Sequence, residues 1–215
     1  MGAPMAGEVV LRACCRTATN CGRLVGFVER EDNPLSPAMP DAPILARGPA
    51  LLVSPAVAAH EAAHAAVGLL LGAEVSFARI GVSASAGFAF EPNAPRRHRV
   101  AASLAGPIAE AWSARWVIRQ SDEDMKWYRD RVFDVDLGNC DFCKAMFWTV
   151  TENTRLDESA TFARYREIEA QTIEIVKRPD VWRSIKSVAD VLLEHGEING
   201  ERINALVNCN HIHIN

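Results

Sequence analysis

The 215-residue sequence is short of several things, and each shortage removes a class of function. It has no excess of positive charge: 23 Lys and Arg stand against 27 Asp and Glu, for a net charge of −4. A surface tuned to phosphate backbones needs the opposite balance, so nucleic acid is not an expected partner. Aromatic residues make up only 7%, too few for a platform on which single-stranded bases stack. The six cysteines are Cys14, Cys15, Cys21, Cys140, Cys143 and Cys209. They are too few and too unevenly placed for a disulfide framework, and they suit a reducing cytoplasm. No signal peptide is expected, because Arg12, Arg16 and the paired cysteines interrupt the apolar run at residues 9–11. No GxxxxGK[ST] loop occurs, so ATP is not an expected ligand.

Long hydrophobic runs are also scarce. The longest, residues 55–73, carries His60, Glu61 and His64 near its centre. Ionisable groups at a bilayer midplane are costly, and no second span exists to shelter them. A soluble, cytoplasmic chain with no membrane partner is the expectation.

What is present reads as one domain with an appendage. Residues 1–48 form an N-terminal extension with short strands at 9–13 and 24–28 and a linker at 31–42 holding three prolines. Residues 49–215 form the main domain. Ser54-Pro55 is a helix start and Gly72 a helix stop, bracketing about five turns. Alternation at 75–80 and again at 87–90 predicts two strands. A helix from Pro95 to about residue 119 presents Val100, Leu104, Ile108 and Trp112 on one face. Gly106-Pro107 is expected to kink or divide it. A short helix and loop at 122–136 follow, then helices at 141–153, 159–177 and 180–195. Gly196 reads as a cap, and a last short helix fits 200–207. The fold class is mainly α: a helical array with a small two-stranded β ribbon.

The chemistry lies on the central helix. His60-Glu61-Ala62-Ala63-His64 is an HExxH motif. Spacing of four puts both imidazoles on one face, with Cβ atoms roughly 5–6 Å apart, so both can reach one zinc ion. Glu61, beside the first imidazole, is placed to take a proton from water. The pentad arises by chance on the order of once in a hundred such chains. Three polar groups in an otherwise apolar helix, however, would each need a partner. Catalytic zinc normally takes a third protein ligand. The metzincin pattern is excluded, since Val67 and Leu70 stand where it requires Gly and His. A downstream glutamate is open: Glu74 follows the helix too closely, Glu91 lies beyond the ribbon, and Glu110 sits on the next long helix.

The chain resembles the proteolytic domain of FtsH-type AAA+ zinc proteases. His60-Glu-Ala-Ala-His-Ala65 is similar to that family's HEAGHA, and residues 104–111 (LAGPIAEA) resemble its GGRxAEE. Residues 138–145 (GNCDFCKA) resemble GAxNDLxxA, and residues 182–207 its closing helices. The resemblance covers about 160 residues, 54 to 210. It implies a zinc metallopeptidase with His60, His64 and Asp141 as ligands and Glu61 as the catalytic residue. Asp124 fits the family's distance from Gly106 better, but the family's small residue follows Asp141 as Ala145; Asp122 and Asp136 are further rivals. Pro107 replaces the family's Arg, and Ala63 the Gly of HEAGH.

Glu110 is read either as orienting a ligand imidazole or as a helix-packing residue. Cys140 and Cys143, a CxxC, are a soft-ligand alternative at the same metal. Arg96-Arg97-His98-Arg99 reads as a solvated helix start, the aromatic and Met residues at 142–148 as core, and Cys209, His211 and His213 as a frayed tail. The leading expectation is an ATP-independent zinc peptidase acting on peptides or unfolded polypeptides. The others are a zinc-stabilised peptide-binding scaffold without activity and a hydrolase of non-peptide amides. The sequence leaves the oligomeric state open.

Overall fold

The computed structural model describes residues 54–81, 84–132, 140–152, 157–207 and 214, together with the backbone of 9–13 and 24–29. The linker at 31–42, Asp136, and the tail with Cys209, His211 and His213 lie outside the described residues.

Two strands come first, β1 (Val9–Ala13) and β2 (Leu24–Glu29), as the sequence suggests. Helix α1 (Pro55–Leu70) starts where Ser54 accepts a hydrogen bond from the Val57 N–H at 3.2 Å, with proline in the first turn. Its alanines are buried almost all round the helix, which marks it as a core element. After the turn at Gly72, strands β3 (Glu74–Arg79) and β4 (Ser85–Ala89) pair antiparallel, with a bulge between Val75 and Phe77.

Helix α2 (Arg96–Ser113) departs from expectation in two ways. It runs unbroken through Gly106-Pro107, and it stops before residue 119. Proline in a helix interior costs about 3 kcal/mol, but here Val100, Ala101, Leu104, Ala105 and Ala109 are fully enclosed. Packing on α1 and on the helices that follow outweighs the lost bond. At the other end, Arg115 takes a left-handed φ of 64° and reverses the chain. Residues Trp116–Arg119 then form strand β5, which pairs antiparallel with β2. The N-terminal strands thus join the main body as a sheet in the order β1-β2-β5.

The remaining helices follow the predicted pattern: α3 (Asp122–Arg131), α4 (Asp141–Glu152), α5 (Glu158–Lys177) and α6 (Pro179–His195). Gly196 closes α6 with a left-handed φ of 78°. Next comes strand β6 (Glu197–Asn199), too short to show alternation, which pairs with β3 and makes the ribbon three-stranded, in the order β4-β3-β6. Helix α7 (Gly200–Leu206) ends the described fold. The architecture is mainly helical with small antiparallel sheets.

Helix α1 packs on α2, and both are rich in enclosed alanines: Ala58, Ala62, Ala65 and Ala66 in α1, and Ala101, Ala102, Ala105 and Ala109 in α2. Small side chains let helix axes approach closely. That closeness positions the site.

A polar cluster ties β5 to α5. The Tyr165 hydroxyl donates to Gln120 Oε1 at 3.2 Å, and Gln120 Nε2 donates to Glu169. Burial pushes the Glu169 carboxyl up from 4.5 to about 7, against the pull of Gln120 and Arg166. The folded chain therefore keeps this proton through a window in which the unfolded chain has lost it. Stability is expected to fall as pH rises from about 4.5 to 7. Thermal melts of Glu169→Gln should lack that part of the pH dependence and exceed wild type at pH 8; identical pH profiles would refute the assignment.

Candidate metal centre

The HExxH turn of α1 lies against α2 and the start of α4. His60 Nε2 is 3.0 Å from His64 Nε2 and 3.0 Å from Asp141 Oδ2, and His64 Nε2 is 3.4 Å from the same oxygen. One donor atom from each of the three residues falls within 4.8 Å of the others. Among the described residues this is the one group of His, Cys, Asp or Glu able to hold a metal ion.

The outward-facing nitrogens fix the tautomers. His64 Nδ1 donates to the Ala102 carbonyl at 2.7 Å, and a carbonyl can only accept. His60 Nδ1 is 2.8 Å from Glu110 Oε2, so a carboxylate accepts there. Each Nδ1 therefore carries hydrogen, which leaves Nε2 facing inward, where it offers a lone pair once a metal ion displaces its proton. Two such lone pairs and a carboxylate oxygen converge on one point, an arrangement that calls for a cation.

The electrostatics agree. Burial pulls the His60 imidazole down, but Asp141 and Glu110 push it up to about 10. Burial works against ionised Asp141, yet His64 and His60 hold its carboxyl well below the usual range. Positive charge is favoured where the donors meet.

Space for that charge comes from α2. A Cβ on Gly106 would lie 2.2 Å from His64 Nε2 and 2.7 Å from His60 Nε2. Zinc binds imidazole nitrogen at about 2.0–2.1 Å, so a metal ion fits the cradle that any side chain here would fill. Sequence reasoning read Gly106 only as a helix breaker. Its spacing of four from Glu110 was the available signal. The Ala102 carbonyl, a backbone group, gave none.

Glu61 is 6% exposed and makes no hydrogen bond or ion pair with any described residue. Burial pushes its carboxyl up, opposed by the neighbouring His60 and His64. A buried carboxylate beside the convergence point, with no bonding partner among the described residues, can accept a proton there.

The sequence matches no family model and no curated protein.

The rival residues are placed elsewhere. Asp124 closes a capping box on α3, accepting from the Ser121 N–H at 2.8 Å and donating its own N–H to Ser121 Oγ. Asp122 pairs with Arg166 at the surface, and Glu74 and Glu91 are exposed. Cys140 and Cys143 are buried, with Cys140 Sγ accepting the Cys143 N–H at 3.3 Å, and neither joins the metal-holding group. Glu110 takes the imidazole-orienting position. Of the 142–148 segment, Phe142 and Met146 are core, while Phe147 is exposed.

Two variants separate the ligand from its rival. Asp141→Ala should lose bound metal by elemental analysis. Asp124→Ala should keep it and lose about 1 kcal/mol of stability, the usual worth of a helix cap. The reverse pattern would move the ligand role to Asp124.

Proposed function

We propose that this chain is a zinc-dependent metallopeptidase that hydrolyses peptide bonds in flexible or unfolded polypeptides. The observation that carries the reading is the convergence of His60 Nε2, His64 Nε2 and Asp141 Oδ2 in the cradle left by Gly106, with Glu61 alongside. His60, His64 and Asp141 would hold the ion. Zinc in such a site polarises a carbonyl and lowers the pKa of water to about 7.

The chain's own groups supply the rest. Glu61 takes the proton from the attacking water and passes it to the leaving amine. Glu110 and the Ala102 carbonyl hold both imidazoles in one orientation through the reaction. Strand β4 has β3 on one side only among the described strands, and Phe88 of β4 stacks on His64 at 6.1 Å. An extended peptide can pair with that edge and lie across the site. Edge pairing needs an unfolded backbone, which sets the substrate class. The order of motifs shared with FtsH-type peptidases points the same way, as an analogy.

Incubating the zinc-loaded chain with an unfolded protein, with no nucleotide added, tests the reading. Cleavage should stop on chelation and return with zinc. Cleavage that survives chelation, or none under any condition, would defeat it.

A further inference from the structure

Arg99 does not behave as the solvated first-turn residue its sequence suggests. Its guanidinium is half-buried between two rings, 5.4 Å from the centroid of Phe90 and 4.8 Å from that of Trp148. Nη2 donates to the carbonyls of Phe90 at 3.2 Å and Glu91 at 2.8 Å, which fixes the group at the exit of β4. No carboxylate of a described residue pairs with it, and Nε and Nη1 donate to no described residue. With Nη2 held by two carbonyls, Nε and Nη1 keep N–H groups that no described residue accepts, and such a charged donor takes a carboxylate oxygen by a single charge-assisted hydrogen bond. Exposed Arg96 adds charge of the same sign nearby.

Its place relative to the metal-holding group follows from contacts. His64 stacks on Phe88, Phe88 meets Phe90 edge-on at 6.0 Å, and Phe90 supports Arg99. Along α2, Arg99 and Gly106 are separated by about 10 Å, at 1.5 Å per helical residue. An extended chain covers that in about three residues, at about 3.4 Å each. Strand β4, which contributes Phe88 to this chain of contacts, has no second partner among the described strands.

We propose that Arg99 is the anchor of a carboxylate-binding subsite about three residues from the scissile bond. It selects substrates carrying Asp, Glu or a free C-terminus there. This inference rests on the peptidase reading for its register, and on a guanidinium that no described carboxylate neutralises for its chemistry. Arg99 is a specificity residue, away from the reacting atoms.

The test uses the zinc-loaded full chain and a series of unstructured peptides. One set scans a single Asp, or Asn in its place, along the sequence. A second set ends three residues past the cleaved bond, as free acid or amide. Wild type should favour the carboxylate of one set about tenfold, in KM more than kcat, as one charge-assisted hydrogen bond would give. Which set responds tells side chain from chain terminus. Cleavage should follow the Asp at a fixed distance. Arg99→Gln should abolish the preference, Arg99→Lys should keep part of it, and Arg99→Glu should favour Lys peptides instead. A structural tether would lower all rates together and leave every ratio unchanged, which would overturn the proposal. Binding of the same peptides to Glu61→Gln protein, read by fluorescence anisotropy, decides the matter without cleavage. Equal affinity for Asp, Asn, acid and amide peptides there refutes the subsite, whereas discrimination without any wild-type cleavage refutes the peptidase reading alone.

Discussion

Gly106→Ala is expected to give a folded protein that holds no zinc. The added methyl carbon would sit 2.2 Å from His64 Nε2, 2.6 Å from its Cε1 and 2.7 Å from His60 Nε2. The metal needs that volume, and carbon and metal cannot share it. The rings cannot swing aside cheaply, because Ala102 and Glu110 grip both from behind. Helix propensity favours Ala over Gly by about 1 kcal/mol, and α2 is otherwise unchanged, so helix content should survive. The check is elemental analysis beside circular dichroism. Full zinc occupancy in Gly106→Ala would show that the ion, if bound, lies somewhere else.

Glu61→Gln should do the opposite: keep the metal and lose the reaction. The side chain touches none of the three converging donor atoms by hydrogen bond or ion pair. An amide of the same size leaves the cluster intact but cannot take a proton. General-base catalysis contributes about 10²–10⁴-fold, and kcat should fall on that scale while KM changes little. Wild type and variant that cleave alike would remove Glu61 from the mechanism. Bound zinc with no cleavage in either would point to a peptide-binding scaffold.

How much of this was readable in the sequence depended on how local each signal was. His60, Glu61 and His64 sit within one turn and a half of helix, so spacing alone places them together. The end of α6 at Gly196 was legible for the same reason, as a local backbone demand. Asp141 lies 81 positions from His60, and no periodicity selects it from other acids; the choice came from the likeness of residues 138–145 to a known motif. Asp124 competed because its role as a cap is invisible until Ser121 is seen bonded to it. Strand β5 was missed because residues 116–119 continue an apolar pattern, and only the left-handed turn at Arg115 breaks the helix. Arg99 looked bland because its meaning depends on Phe90 and Trp148, which arrive from two other elements.

Ala102, Gly106 and Glu110 form a single stripe along α2, at steps of four residues. The first grips one imidazole, the second makes room, and the third grips the other. The three act as marks on a ruler. Turning the helix by one residue, about 100°, would take all three out of register at once. Metal capacity should therefore behave as all-or-none toward changes that rotate α2, even changes far from the histidines. Bound metal becomes a gauge of how faithfully α1 and α2 are seated on each other.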